Sequence, residues 1–397
     1  MDLTPPSAES VASARALLED LLAECARRDA SDIHLAPDLP PYMRVHGVLE
    51  PQADRPPVTA TVLQSLAVEL ARGFDGAALT ETGSLDGALS SRDGARFRFN
   101  VFRRGGQLAI ALRRLEDRFR SLAELGLAES LYQLCDLPDG LVIVAGPTGA
   151  GKSTTLATLL DRINQSRRCH IITIEDPIEY IHRPALALVN QRQVGTDTRS
   201  FNDALVASLR QDPDVILVGE IRELNTIRTA ITAAETGHLV FTTVHAGDCA
   251  GTIERLVSVF PADEQPGIRR QLSLVLRAVI AQHLLVADGP GLAAAREGGG
   301  PSGRRRRVVV SEILMVTPAV ANLIATAKTA QIYSVMEAGG PHGMQTLEQD
   351  LARLHLAQLI SETTAMMMAR NPQVLRDRIA QLRKSASFHP RTTGGGR

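Results

Sequence analysis

The apolar positions of this chain change their period about a third of the way along. Within residues 8–28, Leu17, Leu18, Leu21, Leu22 and Cys25 recur at helical spacing and predict an amphipathic helix. Short strand-like runs follow at 32–35, 42–46, 84–89, 96–102 and 107–113, with a helical stretch at 58–72 among them. In the run that begins at Arg96, alternation puts Phe97 and Phe99 on one face and Arg96 and Arg98 on the other, and Arg113 ends the next run. Strands mixed with one or two helices predict a small α+β domain over residues 1–115, with the charged stretch 116–121 as its linker.

From residue 141 the pattern becomes near-continuous apolar strands at 141–145, 169–175, 214–218 and 239–244. Helical stretches at 152–165, 201–211, 223–235 and 249–260 alternate with them. A strand apolar on both faces is buried on both faces, so this alternation predicts an α/β domain with a parallel sheet covered by helices on both sides. The Gly- and Arg-rich stretch 287–307 predicts a loop between two strands. Its four arginines at 304–307 read more simply as a solvated loop than as an interaction patch. The chain beyond Pro318 is expected to be helical, and the tail after Ser385 disordered.

Composition narrows the function classes. With 44% apolar and 22% charged residues the chain is expected to fold as a globular protein, and its 397 residues suggest two or three domains. A net charge of −1 gives no support to a nucleic-acid partner. Cys25, Cys135, Cys169 and Cys249 are scattered and form no C-x-x-C pair, which argues against a Cys-rich zinc site or a disulfide framework. Residues 1–10 lack the basic start and apolar centre of a signal peptide. The longest apolar stretch, 272–286, is interrupted by Arg277, Gln282 and His283 and is too short to span a bilayer. A cytoplasmic address is the resulting expectation.

The strongest chemical signal is Gly146, Pro147, Thr148, Gly149, Ala150, Gly151, Lys152 and Ser153, followed by Thr154. It lies after an apolar strand and opens a helix, the context a phosphate-binding P-loop requires. Glycines let successive N–H groups face phosphate oxygens, and the helix start adds its positive dipole end. Lys152 is expected at the β- and γ-phosphates of ATP, and the Ser153 hydroxyl at Mg²⁺. Among the 43 basic residues only Lys152, Lys328 and Lys384 are lysines. A chain that uses arginine nearly everywhere keeps a compact ammonium here, where a planar guanidinium does not fit. No N-K-x-D sequence for reading guanine occurs.

Three further elements suit hydrolysis. The strand at 214–218 leads to Gly219 and Glu220, which makes Glu220 the first candidate to orient and deprotonate the attacking water. Glu175 and, second to it, Asp176 end another strand and could polarise water or hold Mg²⁺ through water. His238 and His245 bracket the strand 239–244, where a histidine could sense the γ-phosphate. Arg96, Arg98 and Arg113, on the other domain, suit a finger reaching phosphate in a neighbouring subunit, and equally a solvated strand face.

Taken together these blocks resemble the secretion-ATPase superfamily, most closely its PilT-like branch, the retraction motors of type IV pili. The likeness runs from Ser31-Asp-Ile-His-Leu35, through Arg96-Phe-Arg-Phe-Asn100 and Ala233-Ala-Glu-Thr-Gly-His-Leu-Val240, to Gly343-Met-Gln-Thr-Leu347. In that branch 173–180 corresponds to the Asp box, 215–220 to an atypical Walker B strand and 237–245 to the His box. The resemblance implies a PAS-like N-terminal domain, a RecA-like ATPase domain over 122–385 and a homohexamer with ATP between domains. It also implies Glu220 as base, Glu175 and His238 as site residues, and Arg98 and Arg113 as cross-subunit groups. The partners it implies are a pilus-base platform protein of the inner membrane and a sister motor, which places the ring at the cytoplasmic face of that membrane. Two features depart from the branch. Its usual helix A-I-R-N-L-I-R-E reads Ala319-Val-Ala-Asn-Leu-Ile-Ala-Thr326 here, and the 287–307 stretch is longer than the usual connection.

Overall fold

The computed structural model describes residues 8–45, 48–72, 79, 82–115, 119–292 and 307–387. Two sheets organise it. The first contains β1 (Ala30–Leu35), β2 (Tyr42–Val45), β3 (Val48–Pro51), β4 (Ser84–Ser90), β5 (Arg96–Arg104) and β6 (Gln107–Arg114). It is antiparallel throughout, in the order β3-β2-β1-β6-β5-β4. The helices Ala8–Arg27 and Ala60–Leu70 bury Leu18, Leu21, Leu22, Leu63 and Leu66 against Ile33, Phe97, Phe99 and Leu112. The alternation in β5 is realised, with Phe97 and Phe99 buried and Arg96 and Arg98 half-buried on the opposite face.

The second sheet has the order β13-β12-β7-β11-β10-β8-β9. Its strands are β7 (Gly140–Ala145), β8 (His170–Glu175), β9 (Leu188–Gln193), β10 (Val215–Val218), β11 (Leu239–Val244), β12 (Leu276–Val286) and β13 (Arg307–Met315). Every residue of β7, β10 and β11 is buried, as their unbroken apolar runs require. One core, with Ile143, Ile216 and Val240, packs under helices on one face, and another, with Val142, Leu217 and Phe241, on the other face. Each such side chain contributes roughly 1.5–3 kcal/mol by leaving water, so these strands form a rigid base for the loops at their ends.

The sheet is parallel except at β13, which runs antiparallel to β12 at one edge. β9, at the other edge, has no counterpart in the sequence reading, because it is short and only partly apolar. The 287–307 stretch does connect two strands, β12 and β13, although residues 293–306 lie outside the described part. Of the linker expected at 116–121, residues 116–118 also lie outside it. Ser121 already caps the helix Leu122–Leu125, with Glu124 completing a reciprocal capping box. The helix Pro372–Ser387 runs two residues into the stretch expected to be disordered, and 388–397 are not described. Among the described residues no helix is long and apolar enough to cross a membrane.

Candidate nucleotide site

Parallel pairing decides which residues meet. Ala145 of β7 pairs with Val244 of β11, and Val218 of β10 pairs with Thr242 of β11 and Ile174 of β8. The residues that follow these strands therefore share one edge of the sheet: the P-loop, His245, Glu220 and Glu175. They line a cleft of about 440 Å³ that also includes Ser153, Thr154, Asp176, Glu179, Tyr180 and Arg98.

His238 is not among them. It precedes β11 at the opposite edge, where its carbonyl accepts from the Gly140 N–H at the start of β7. Its ring Nδ1 lies 2.9 Å from the Ala233 carbonyl, so it closes the end of its own helix. A six-residue strand spans about 20 Å, so the two histidines of this segment cannot face one nucleotide within a chain. The expectation for His238 is corrected accordingly: the histidine at the phosphate edge is His245.

The P-loop is fixed by its glycines and by β12. Gly146 has φ 149°, and a Cβ there would lie 2.3 Å from the Gln282 carbonyl oxygen. No side chain fits, which is the physical reason for glycine at this position. Gln282 is fully buried, donates Nε2 to the Ala150 carbonyl at 2.7 Å and accepts from Thr155 Oγ1 at 2.9 Å. Lys152 Nζ donates to the Gly146 and Pro147 carbonyls, both at 3.0 Å, leaving one of its three donors for a phosphate oxygen. Burial pulls its ammonium below the usual lysine range, and the Glu220 carboxylate opposes this. The Ser153 side chain is exposed to the cleft, while Thr154 Oγ1 shares a 3.0 Å hydrogen bond with the Tyr180 hydroxyl.

The carboxylates differ in environment. Glu220 Oε2 is 2.7 Å from Arg222 Nη2 and 3.6 Å from His245 Nε2. Burial lowers the His245 pKa, with Lys152 and Arg222 adding to the effect and Glu220 opposing it, so the ring is neutral at pH 7. Glu175 Oε1 accepts from Thr173 Oγ1 at 2.6 Å and Gln191 Nε2 at 3.1 Å. Burial raises the Glu175 pKa despite those bonds. Asp176 is also raised, first by burial and then by the Glu220 charge.

The arginines separate. Arg98 crosses between the two sheets and pairs with Glu179 of the same chain at 2.7 Å, so it lines its own cleft. Arg96, half-buried, donates to Ser90 Oγ at 3.3 Å and lies within electrostatic reach of Glu175, which offsets part of the burial effect on its guanidinium. Arg113 is the cross-strand partner of Arg98 but turns to Asp32 at 2.8 Å and does not line the cleft.

Sequence reasoning missed Leu284 and Arg307, which bring β12 and β13 to the cleft, and Gln282, which holds the P-loop from beneath it. A signal existed. Gln282 and His283 were visible as polar breaks in an otherwise apolar run, and a buried amide inside a strand needs partners.

The profile of the type II/IV secretion system protein family matches residues 7–360. The chain belongs to this family. It is 42% identical over 356 residues to the type IV pilus retraction ATPase PilT of Pseudomonas aeruginosa, covering 90% of this chain and 99% of that one. It is 37% identical to the type IV pilus ATPase PilU of the same organism, covering 90% of each chain. Among solved structures it is similar to the pilus retraction motor PilT with bound ADP, at 41% identity and a TM-score of 0.80, covering 90% of this chain and 98% of that one. Membership carries the fold, an N-terminal domain joined to a P-loop ATPase domain, and nucleotide binding.

Proposed function

We propose that this protein is an ATP-driven hexameric motor that retracts a type IV pilus. The observation that supports this most is the convergence of Lys152, Glu220 and His245 at one sheet edge, in a chain similar to PilT over nearly its whole length. The small domain, residues 1–115, and the ATPase domain, 122–385, meet at the cleft through Arg98 and Glu179. Movement of one against the other would then follow the nucleotide state.

In this reading the P-loop N–H groups and Lys152 hold the β- and γ-phosphates. A water oxygen attacks the γ-phosphorus, the bond to the ADP oxygen breaks, and Glu220 takes the proton. Arg222, paired with Glu220 at 2.7 Å, keeps it aimed, and neutral His245 offers a hydrogen bond at the phosphate side. Mg²⁺ fits beside the exposed Ser153 hydroxyl, with Glu175 or Asp176 within the same cleft to bind its water, and it would neutralise phosphate charge. Arg113, away from its own cleft, is available to a neighbouring subunit. The partners are a platform protein of the inner membrane and a sister motor, with the ring at the cytoplasmic face.

A second reading, an accessory subunit of the PilU kind, is favoured by the altered helix at residues 319–326. Deleting the gene and counting surface pili separates these readings. Retraction predicts excess pili and lost surface motility, rescued by wild type and not by Lys152→Ala. Unchanged pili and motility would refute the motor reading.

A further inference from the structure

The turn that follows His245 is held from the helical layer at the end of the chain. Residues 246–248 join β11 to the helix Cys249–Ser258, and the Gly247 carbonyl accepts from Arg370 Nη2 at 2.9 Å. His283 Nε2 lies 3.1 Å from the same oxygen. The other arm of Arg370, Nη1, meets the carboxylate of Glu312 on β13 at 2.8 Å, and Asp248 Oδ2 is 3.8 Å from the guanidinium. Glu312 is 3% exposed and accepts from the Cys249 N–H at 2.9 Å.

Arg370 is itself anchored. Its backbone N–H and that of Asn371 both donate to Glu348 Oε1 at 3.1 Å, and the second oxygen of this buried carboxylate accepts from the Tyr333 hydroxyl at 2.9 Å. One guanidinium, fixed at its base, thus spans a buried carboxylate and a carbonyl two residues beyond His245. A buried ion pair is a poor way to gain stability, because desolvation offsets most of the attraction. It is a good way to fix a register. The planar fork matters here, since it reaches two acceptors in different directions and an ammonium cannot reproduce that.

We propose that Arg370 is a positioning residue for ATP hydrolysis: it fixes the Gly247 turn, and with it His245 beside Glu220, and so ties the C-terminal helices to the phosphate edge of the cleft. The proposal rests on the reading of that cleft as hydrolytic. It explains why a carboxylate is buried in β13.

The test compares full-length wild type, Arg370→Lys, an Arg370→Gln/Glu312→Gln pair and Lys152→Ala by steady-state phosphate release and fluorescent-ADP binding. Arg370→Lys keeps the charge opposite Glu312, so it should fold. Its kcat should fall at least about threefold, with KM and ADP affinity within about twofold. The Gln pair removes both charges together and should lose about 10- to 100-fold in kcat, the scale of a small misplacement of a reacting group. Adding His245→Ala to the pair should cost nothing further, because both changes remove the same contribution. Wild-type kcat in Arg370→Lys or in the folded Gln pair would overturn the proposal, since Arg370 would then only neutralise Glu312. Undiminished turnover by Lys152→Ala would instead sink the reading of the cleft itself.

Discussion

The Gln282 amide donates to the Ala150 carbonyl at 2.7 Å, and through this one bond β12 holds the apex of the P-loop. The same side chain accepts from Thr155 at the first turn of the helix that follows the loop. Replacing Gln282 by Leu keeps the volume but leaves the Ala150 carbonyl and the Thr155 hydroxyl buried without this partner, at about 1–3 kcal/mol for each group left unsatisfied. Gln282→Leu should therefore lower the melting temperature and weaken ADP binding more than about fivefold. Thermal unfolding with and without ADP measures both, and an unchanged ADP-induced shift would show that β12 does not shape the loop.

Glu220 and Glu175 stand at the same sheet edge, so their separate replacement tests which accepts the proton. Glu220→Gln should bind ATP nearly as well as wild type but turn over roughly 10²-fold slower, the scale of losing a general base. Glu175→Gln should cost less in turnover, because its Oε1 is already held by Thr173 Oγ1 and Gln191 Nε2. Single-turnover hydrolysis would rank them, and the reverse order would make Glu175 the base.

Much of this site was legible in the sequence because strand continuity and the P-loop spacing are local signals. Glu220 and Glu175 could be placed because each ends an apolar run, and ends of parallel strands converge. The direction of those strands was the information that pattern alone did not use: it separates His238 from His245 by the length of β11. Gln282 and Arg370 were not legible as site residues. Their partners are 132 and 123 residues away in sequence, a separation that no periodicity reports.

Arg98 and Arg113 are cross-strand neighbours with different partners, which predicts different behaviour in mixed rings. Arg98 pairs with Glu179 of its own chain, so Arg98→Ala should impair turnover without rescue by a second mutant chain. Arg113 is two-thirds exposed, pairs with Asp32 and does not line its own cleft. Mixing Arg113→Ala with Lys152→Ala chains should restore part of the activity at interfaces where each supplies what the other lacks. Native mass spectrometry confirms mixed rings, and no rescue in such rings would remove Arg113 from the site.

His182 adds a pH dependence to stability. Burial lowers its pKa from 6.5 to about 4, and the Phe119 ring packs 4.8 Å from it, so the folded chain holds it neutral. As pH falls below 6.5 the unfolded chain takes up this proton first, so the contribution is full above pH 6.5 and is lost progressively toward pH 4. The raised carboxylates of Glu175, Asp176, Glu312 and Asp350 act with the opposite sign. Comparison with His182→Phe isolates the histidine. Relative to that variant, wild type should lose about 2 kcal/mol between pH 7.5 and pH 5 in urea unfolding. Parallel stability curves for the two proteins would show that His182 does not titrate there.

The altered helix gives the last prediction. Pro318–Ala325 begins at Thr317, whose side chain accepts from the Val320 N–H, and buries Val320 and Ile324. These two join the core that contains Ile268, Leu272 and Val275 of the helix Gln265–Val275, so the element is held by packing rather than by charge. Ala321 and Ala325 are half-buried and Thr326 is exposed, at the positions where retraction motors of the resembling branch carry Arg, Arg and Glu. Exposed ion pairs contribute about 0–1 kcal/mol each, so their absence should leave folding and basal turnover nearly unchanged. Interface charges, by contrast, set register and partner choice. The protein should therefore hydrolyse ATP alone yet retract pili weakly, or only beside a sister motor that keeps the arginines. Ala321→Arg, Ala325→Arg and Thr326→Glu together should strengthen retraction while changing the basal rate by less than about twofold. Force and frequency of retraction, measured on single cells lacking any sister motor, decide the matter. Strong retraction by the unaltered protein in that strain would make the helix a variable surface, and the plain retraction-motor reading would stand.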